Sequence, residues 1–275
     1  MTAQTQYKIK KELSEAAKIG MDLITFEVMR SAFVAACYEA SSTIERIAYH
    51  PVIGMGRDRS NSILTADGRL VAHGHTDAAA HYASFEPSVT ELMKDYPKKS
   101  MQPGDTFIFS DPYRSGSHVN DVRMIRPVFF ENEIVAFACT VIHWADMGGP
   151  MPGTFNPEAT SCYAEGLRIP PIRLYKNNEL DEELFSLIEI NIRGATERRA
   201  DLRAQYEAAC LIDRRVVELC ERYGKETMFQ AFEEQFDYSE RLMLAELKAL
   251  PDGVWEFEDF GDQDVNSPGK PPIRV

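Results

Sequence analysis

Two strand-like runs, Val122 to Phe130 and Glu133 to Val141, are joined across Asn132. Runs of this length with so short a connection predict an antiparallel pair. The second is almost wholly apolar, which predicts burial on both faces. Pro127 marks the first as an edge strand or the site of a bulge. Antiparallel pairing sets the start of one strand beside the end of the other. His118 and Asp121 precede the first run and His143 follows the second, so the pairing gathers these three at one edge of the sheet. On a flat strand, three-residue spacing would send His118 and Asp121 to opposite faces. The Ser115-Gly116-Ser117 run instead places them in a bend before the strand.

The remaining segments are arranged around this pair. Residues 8–48 read as helical with a break at Gly20, and Ile24, Val28, Phe33, Ala36 and Ala40 mark the expected buried face. Ser62 to Thr65 and Arg69 to Ala72 flank Asp67-Gly68, a hairpin signal. His73, His75, Asp77 and His81 follow. A helix is expected from Glu86 to Tyr96, with Pro87 in its first turn and Pro97 as its stop. A strand is expected from Thr106 to Ser110, and a long irregular stretch over 150–172. From Leu180 to Leu250 the pattern predicts three or four helices, with breaks near Gly194, Tyr223-Gly224 and Phe236-Asp237. Val254 to Phe260 reads as the start of a further strand, and Ile273-Arg274-Val275 as an unfinished one. The fold class expected is α+β, a mixed or antiparallel sheet with a helical layer and a metal site at the sheet edge. The organisation expected is a mixed α/β metal-bearing region over 1–178, a helical region over 179–250 and a strand region over 251–275.

Composition narrows the function. A net charge of −13 argues against a nucleic-acid-binding surface. The five cysteines are odd in number and lack CxxC spacing, so neither a zinc ribbon nor a disulfide framework is indicated. Cys139 and Cys162 read as buried apolar residues rather than nucleophiles. The first residues carry no apolar secretory core, and no run approaches the roughly 18 apolar residues of a membrane span. These features together predict a cytoplasmic protein.

His118, Asp121 and His143 offer two imidazoles and a carboxylate, a set that suits Zn, Mn or Fe(II) with positions left open. Asp111 and Asp146 read either as acceptors that fix the imidazoles or as turn-capping aspartates before Pro112 and Met147-Gly148. His73, His75 and His81 either share the pocket, where one acts as an acid or base near the metal, or lie on a solvated loop. His81 is the candidate carried forward from this group, alongside Asp111 and Asp146, as a catalytic residue. The 275 residues hold no GxSxG, GxGxxG or GxxxxGK[ST] pattern.

Several longer stretches resemble one family. They are Leu64 to Ala72, Pro103-Gly104-Asp105, and above all Asp111-Pro112-Tyr113-Arg114-Ser115-Gly116-Ser117-His118 running on to Asp121. Glu165 to Pro171 and Asp201-Leu202-Arg203-Ala204-Gln205 match less closely. The sequence resembles the B-type subunits of hydantoinases and 5-oxoprolinases, which are similar to subunits of acetone and acetophenone carboxylases. The resemblance implies a divalent metal, Zn or Mn, held by His118, Asp121 and His143. It also implies an A-type partner subunit that handles ATP within a hetero-oligomer. Members are usually about twice this length, so the chain resembles an N-terminal half. His81 is kept, but Tyr82 to Phe85 departs from the family pattern in a segment that would line the pocket. The expected function is the metal-bearing part of an ATP-dependent enzyme that opens cyclic amides such as hydantoins or 5-oxoproline. The alternatives are a ketone carboxylase subunit of the acetone or acetophenone type and a non-catalytic assembly subunit.

Overall fold

The structure is a computed structural model, and it describes residues 20–260 except Ser115, Ser117 and Phe155. Its sheet is antiparallel throughout. The strands are β1 (Arg59–Thr65), β2 (Leu70–His73), β3 (Thr106–Phe109), β4 (Asp121–Phe130), β5 (Glu133–His143), β6 (Ile172–Lys176) and β7 (Glu179–Leu180). Their order across the sheet is β2-β1-β5-β4-β3-β6-β7. The β4–β5 hairpin therefore lies inside the sheet, and every residue of β5 after Glu133 is buried. Pro127 sits past the end of the β3–β4 pairing, which covers only Arg123 to Ile125 on β4, and the β4–β5 register shifts just beyond it, at Val128/Phe129. The missing N–H thus falls where β4 is locally an edge. β1 and β2 close around Gly68, whose φ of +94° suits a residue without Cβ.

Among the described residues six helices flank the sheet: α1 (Leu23–Ile47), the one-turn α2 (Pro51–Gly54), α3 (Tyr82–Asp95), α4 (Glu182–Glu189), α5 (Ala195–Tyr223) and α6 (Lys225–Ala249). α3 covers one face, where Phe85, Val89 and Leu92 pack on Phe107, Phe109, Ile125, Phe137 and Val141. α1, α5 and α6 cover the other, and their apolar residues share a single core with Ile63, Val122, Met124 and Ile142. This α+β architecture agrees with the fold class expected from the sequence.

Several boundaries differ. In α1 the buried stripe runs through Phe26, Met29, Phe33, Cys37, Ala40 and Ile44, while Ile24 is 75% exposed and Val28 41%. The four-residue steps of the apolar pattern drifted off the 3.6-residue period that decides burial. The expected helix over residues 8–19 and the expected terminal strand at Ile273 to Val275 lie outside the described residues. α3 begins four residues before Glu86, so Pro87 is inside the helix rather than in its first turn. α6 runs through Phe236 and Asp237 without a break, since neither residue stops a helix that is packed along its length. Val254 to Phe260 forms no strand beyond a single bridge at Phe260, and Val254, Trp255 and Phe257 are exposed. An alternating pattern alone makes no strand where, among the described residues, no neighbour supplies the ladder. Cys162 is half-buried beside Tyr113, not in the core.

Candidate metal centre

Three central strands end at the same point. β1 begins at Arg59, opposite Ile142 of β5, and β4 begins at Asp121, opposite His143. The centre thus lies at the open end of the middle strands rather than along a lateral edge. A tight turn brings His118 to Asp121, with Asp121 N–H donating to the His118 carbonyl at 3.2 Å. Asn120 locks that turn to the end of β5: its side-chain amide donates to the Trp144 carbonyl at 2.7 Å, and Trp144 N–H donates to the Asn120 carbonyl at 2.8 Å.

Asp121 is the hub. Its carboxylate is fully buried, with Oδ2 2.9 Å from His118 Nδ1 and Oδ1 3.2 Å from His143 Nδ1. Oδ1 also lies 3.7 Å from His81 Nε2. Asp58 supplies a second carboxylate, 3.6 Å from His81 Nε2 and 3.6 Å from His143 Nδ1. His81 reaches the cluster from the one-turn segment ahead of α3 and is 3% exposed. Ser60 Oγ lies 2.9 Å from His81 Nδ1 and 3.0 Å from the Ala78 carbonyl. A hydroxyl that donates to the carbonyl and accepts from Nδ1–H leaves an Nε2 lone pair facing both carboxylates.

Such a donor set fits a divalent cation. One ligand atom each from His118, Asp121 and His143 can be chosen so that all lie within 4.8 Å of one another. Ligands about 2.1 Å from one ion stand roughly 3 to 3.5 Å apart, close to the Asp121–His143 and Asp121–His118 separations given above. Two carboxylates, Asp121 fully buried and Asp58 partly exposed, converge on three imidazoles, an arrangement that a cation among them would stabilise. The Asp121 carboxylate raises the His118 imidazole above its ordinary pKa, against the opposite pull of burial.

The other sequence candidates fall in different places. Asp111 accepts from Tyr113 N–H at 3.1 Å and faces Arg168 at 3.6 Å. Asp146 accepts from the N–H groups of Gly148 and Gly153, both at 2.7 Å, and pairs with Arg193 at 3.2 Å. Among the described residues these carboxylates hold loops, in the manner of the turn-capping alternative. His73 stacks on Tyr82 at 3.8 Å and His75 is exposed, so only His81 of the three joins the cluster. Asp58, Ser60 and Asn120 were not singled out from sequence. Asp58 reaches the cluster through the pairing of β1 with β5, which no local sequence signal marks.

Beside His118, which is half-exposed, opens a cavity of about 530 Å³ lined also by Val119, Asn120, Thr154, Asn156, Pro157 and Glu165. The Thr154 hydroxyl accepts from Met147 N–H at 2.7 Å, so the loop that Asp146 braces forms one wall.

The α+β chain thus sets a buried carboxylate among imidazoles beside a cavity, a donor set that could hold a divalent cation. The chain belongs to the Hydantoinase B/oxoprolinase family, whose sequence profile matches residues 22–275. It is 33% identical over 245 residues to the caprolactamase subunit beta of Pseudomonas jessenii, covering 88% of this chain and 42% of that subunit. The crystal structure of the ATP-dependent caprolactamase from the same organism superposes with a TM-score of 0.78 at 32% identity, covering 85% of this chain and 40% of that one. The acetophenone carboxylase delta subunit of Aromatoleum aromaticum is 27% identical over 76% of this chain and 31% of its own length. The chain thus spans less than half the length of these relatives. No helix among the described residues is long and apolar enough to cross a membrane.

Proposed function

We propose that this chain is the metal-bearing part of an ATP-dependent enzyme that opens cyclic amides. The observation that carries the reading is the buried Asp121 carboxylate, shared by His118 and His143 beside an open cavity, in a chain similar to a caprolactamase subunit. His118, Asp121 and His143 hold one divalent ion, Zn or Mn, and His81 and Asp58 complete its surroundings. The ion, when bound, supplies Lewis acidity toward an amide or phosphoryl oxygen. His118 faces the cavity and sets where the reacting carbonyl lies. Ser60 fixes the His81 ring so that Nε2 is the atom at which a proton is exchanged, between Asp58 and Asp121. Asp111 and Asp146 act through the loops they brace. ATP is handled by an A-type partner chain within a hetero-oligomer, and the purified 275 residues alone turn over neither ATP nor amide.

A second reading, the metal-bearing part of a ketone carboxylase, is favoured by the match to the acetophenone carboxylase delta subunit. The two readings are separated by incubating the assembled complex with ATP and cyclic amides, or with ketones and labelled bicarbonate. Ring-opened acid supports the first and labelled carboxylate the second. Neither product from a complex that binds ATP would leave both untenable.

A further inference from the structure

A buried guanidinium ordinarily has partners, because without them it keeps the full cost of losing its water. Two arginines of this sheet obey that rule. Arg59 meets Asp77, Glu45 and Thr76, and Arg126 meets Asp213, Thr106 and Asn178. Arg123 does not. Its side chain is 1% exposed, yet among the described residues only Nη1 has a partner, donating to the Asp121 carbonyl at 2.8 Å. Nε and Nη2 make no hydrogen bond among them.

Its place makes the vacancy informative. Arg123 follows Asp121 by two residues on β4 and so shares its sheet face. Gly116 lies against the guanidinium, and a Cβ there would stand 3.0 Å from Nη1. The Asp121 carboxylate points its oxygens at imidazoles, so it does not satisfy the fork. Among the described residues no other carboxylate pairs with Arg123.

From this we infer that Arg123 is the recognition group for an oxyanion borne by the substrate, a phosphoryl or a carboxylate group, held beside the His118–Asp121–His143 cluster. The planar fork matches two oxygens of such a group, and the buried setting strengthens each charge-assisted bond. The placement of substrate rests on the function proposed above, whereas the anion site itself does not.

The test uses the full chain, stripped of metal by a chelator and titrated with inorganic phosphate and, separately, with acetate. Binding is read by calorimetry and by thermal shift for wild type, R123M and R123K. At least one of the anions binds wild type, and R123M weakens that binding about 10- to 100-fold. R123K, which keeps the charge and loses the fork, falls between. Phosphate alone identifies a phosphoryl site and acetate alone a carboxylate site, while binding of both assigns the site to negative charge in general. Equal binding by wild type and R123M, or binding of neither anion to wild type, overturns the inference. If R123M does not fold, equal binding by wild type and R123K overturns it in the same way. No outcome depends on turnover, so a complex that failed to open amides would refute the proposed function and leave this result standing.

Discussion

Asp121 opens β4 directly opposite His143, the last residue of β5, and Asp121 Oδ1 lies 3.2 Å from His143 Nδ1. The other oxygen of the same buried carboxylate is 2.9 Å from His118 Nδ1. One side chain therefore sets the positions of two imidazoles from separate segments. Asp121→Asn keeps the size of that side chain and removes its charge. We expect it to abolish divalent-metal binding while the sheet remains folded, checked by metal titration and circular dichroism. Retention of wild-type affinity would remove Asp121 from the ligand set.

Asp58 spans two imidazoles, at 3.6 Å from each. Asp58→Asn should weaken metal binding on the order of 10- to 100-fold, the usual cost of losing a group that orients ligands. Ser60→Ala should act in the same direction by freeing the His81 ring. Competition with a chromogenic chelator measures both. Affinities unchanged in the two variants would mean that His81 and Asp58 are bystanders.

The paired His118 gives the metal-free chain a definite pH dependence. Its folded pKa is raised above the unfolded value by Asp121 first, with Asp58 adding and burial and Arg123 opposing. A raised histidine pKa contributes stability that is fully present below the unfolded value of about 6.5 and is lost as pH rises through the folded one. Melting curves of chelated wild type and His118→Gln should therefore differ most on the acid side and converge on the alkaline side. Metal binding displaces the same proton and should weaken as pH falls. A gap between the two curves that widened toward alkaline pH would contradict the assignment.

The hairpin that carries the centre was legible because its signals are local. An apolar run at strand length and a short turn give the β4–β5 pair, but the turn register that sets Phe130 against Glu133 would by itself bring Asp121 to Ile142, and the shift at Val128/Phe129 is what sets Asp121 opposite His143. Asp58 was not legible, because it arrives through the pairing of Arg59 with Ile142. Pairing across so long a stretch of sequence leaves no periodic trace in either strand. The α1 stripe was misread at Ile24 and Val28 for a different reason: apolar residues also occur on exposed faces, and only packing against Phe232 and Tyr238 shows which face is inward. The boundaries of α5 at Gly194 and Gly224 were legible because glycine readily takes the positive φ, 67° and 85°, found at its N-cap and C-cap.

Asp146 braces the loop that walls the cavity, accepting two backbone N–H groups and facing Arg193. Asp146→Asn should cost about 1 to 3 kcal/mol, since it weakens charge-assisted bonds in a largely buried turn. Denaturant unfolding reads this directly. Metal affinity should change far less than in Asp58→Asn, and a larger loss would place Asp146 at the metal instead.

The central claim is that His118, Asp121 and His143 hold one divalent ion. Elemental analysis of wild type, His118→Ala and His143→Ala, purified side by side, tests it most directly. Wild type should carry about one equivalent of Zn or Mn, and each variant should lack most of it, with circular dichroism unchanged. Equal metal content in all three folded proteins would contradict it.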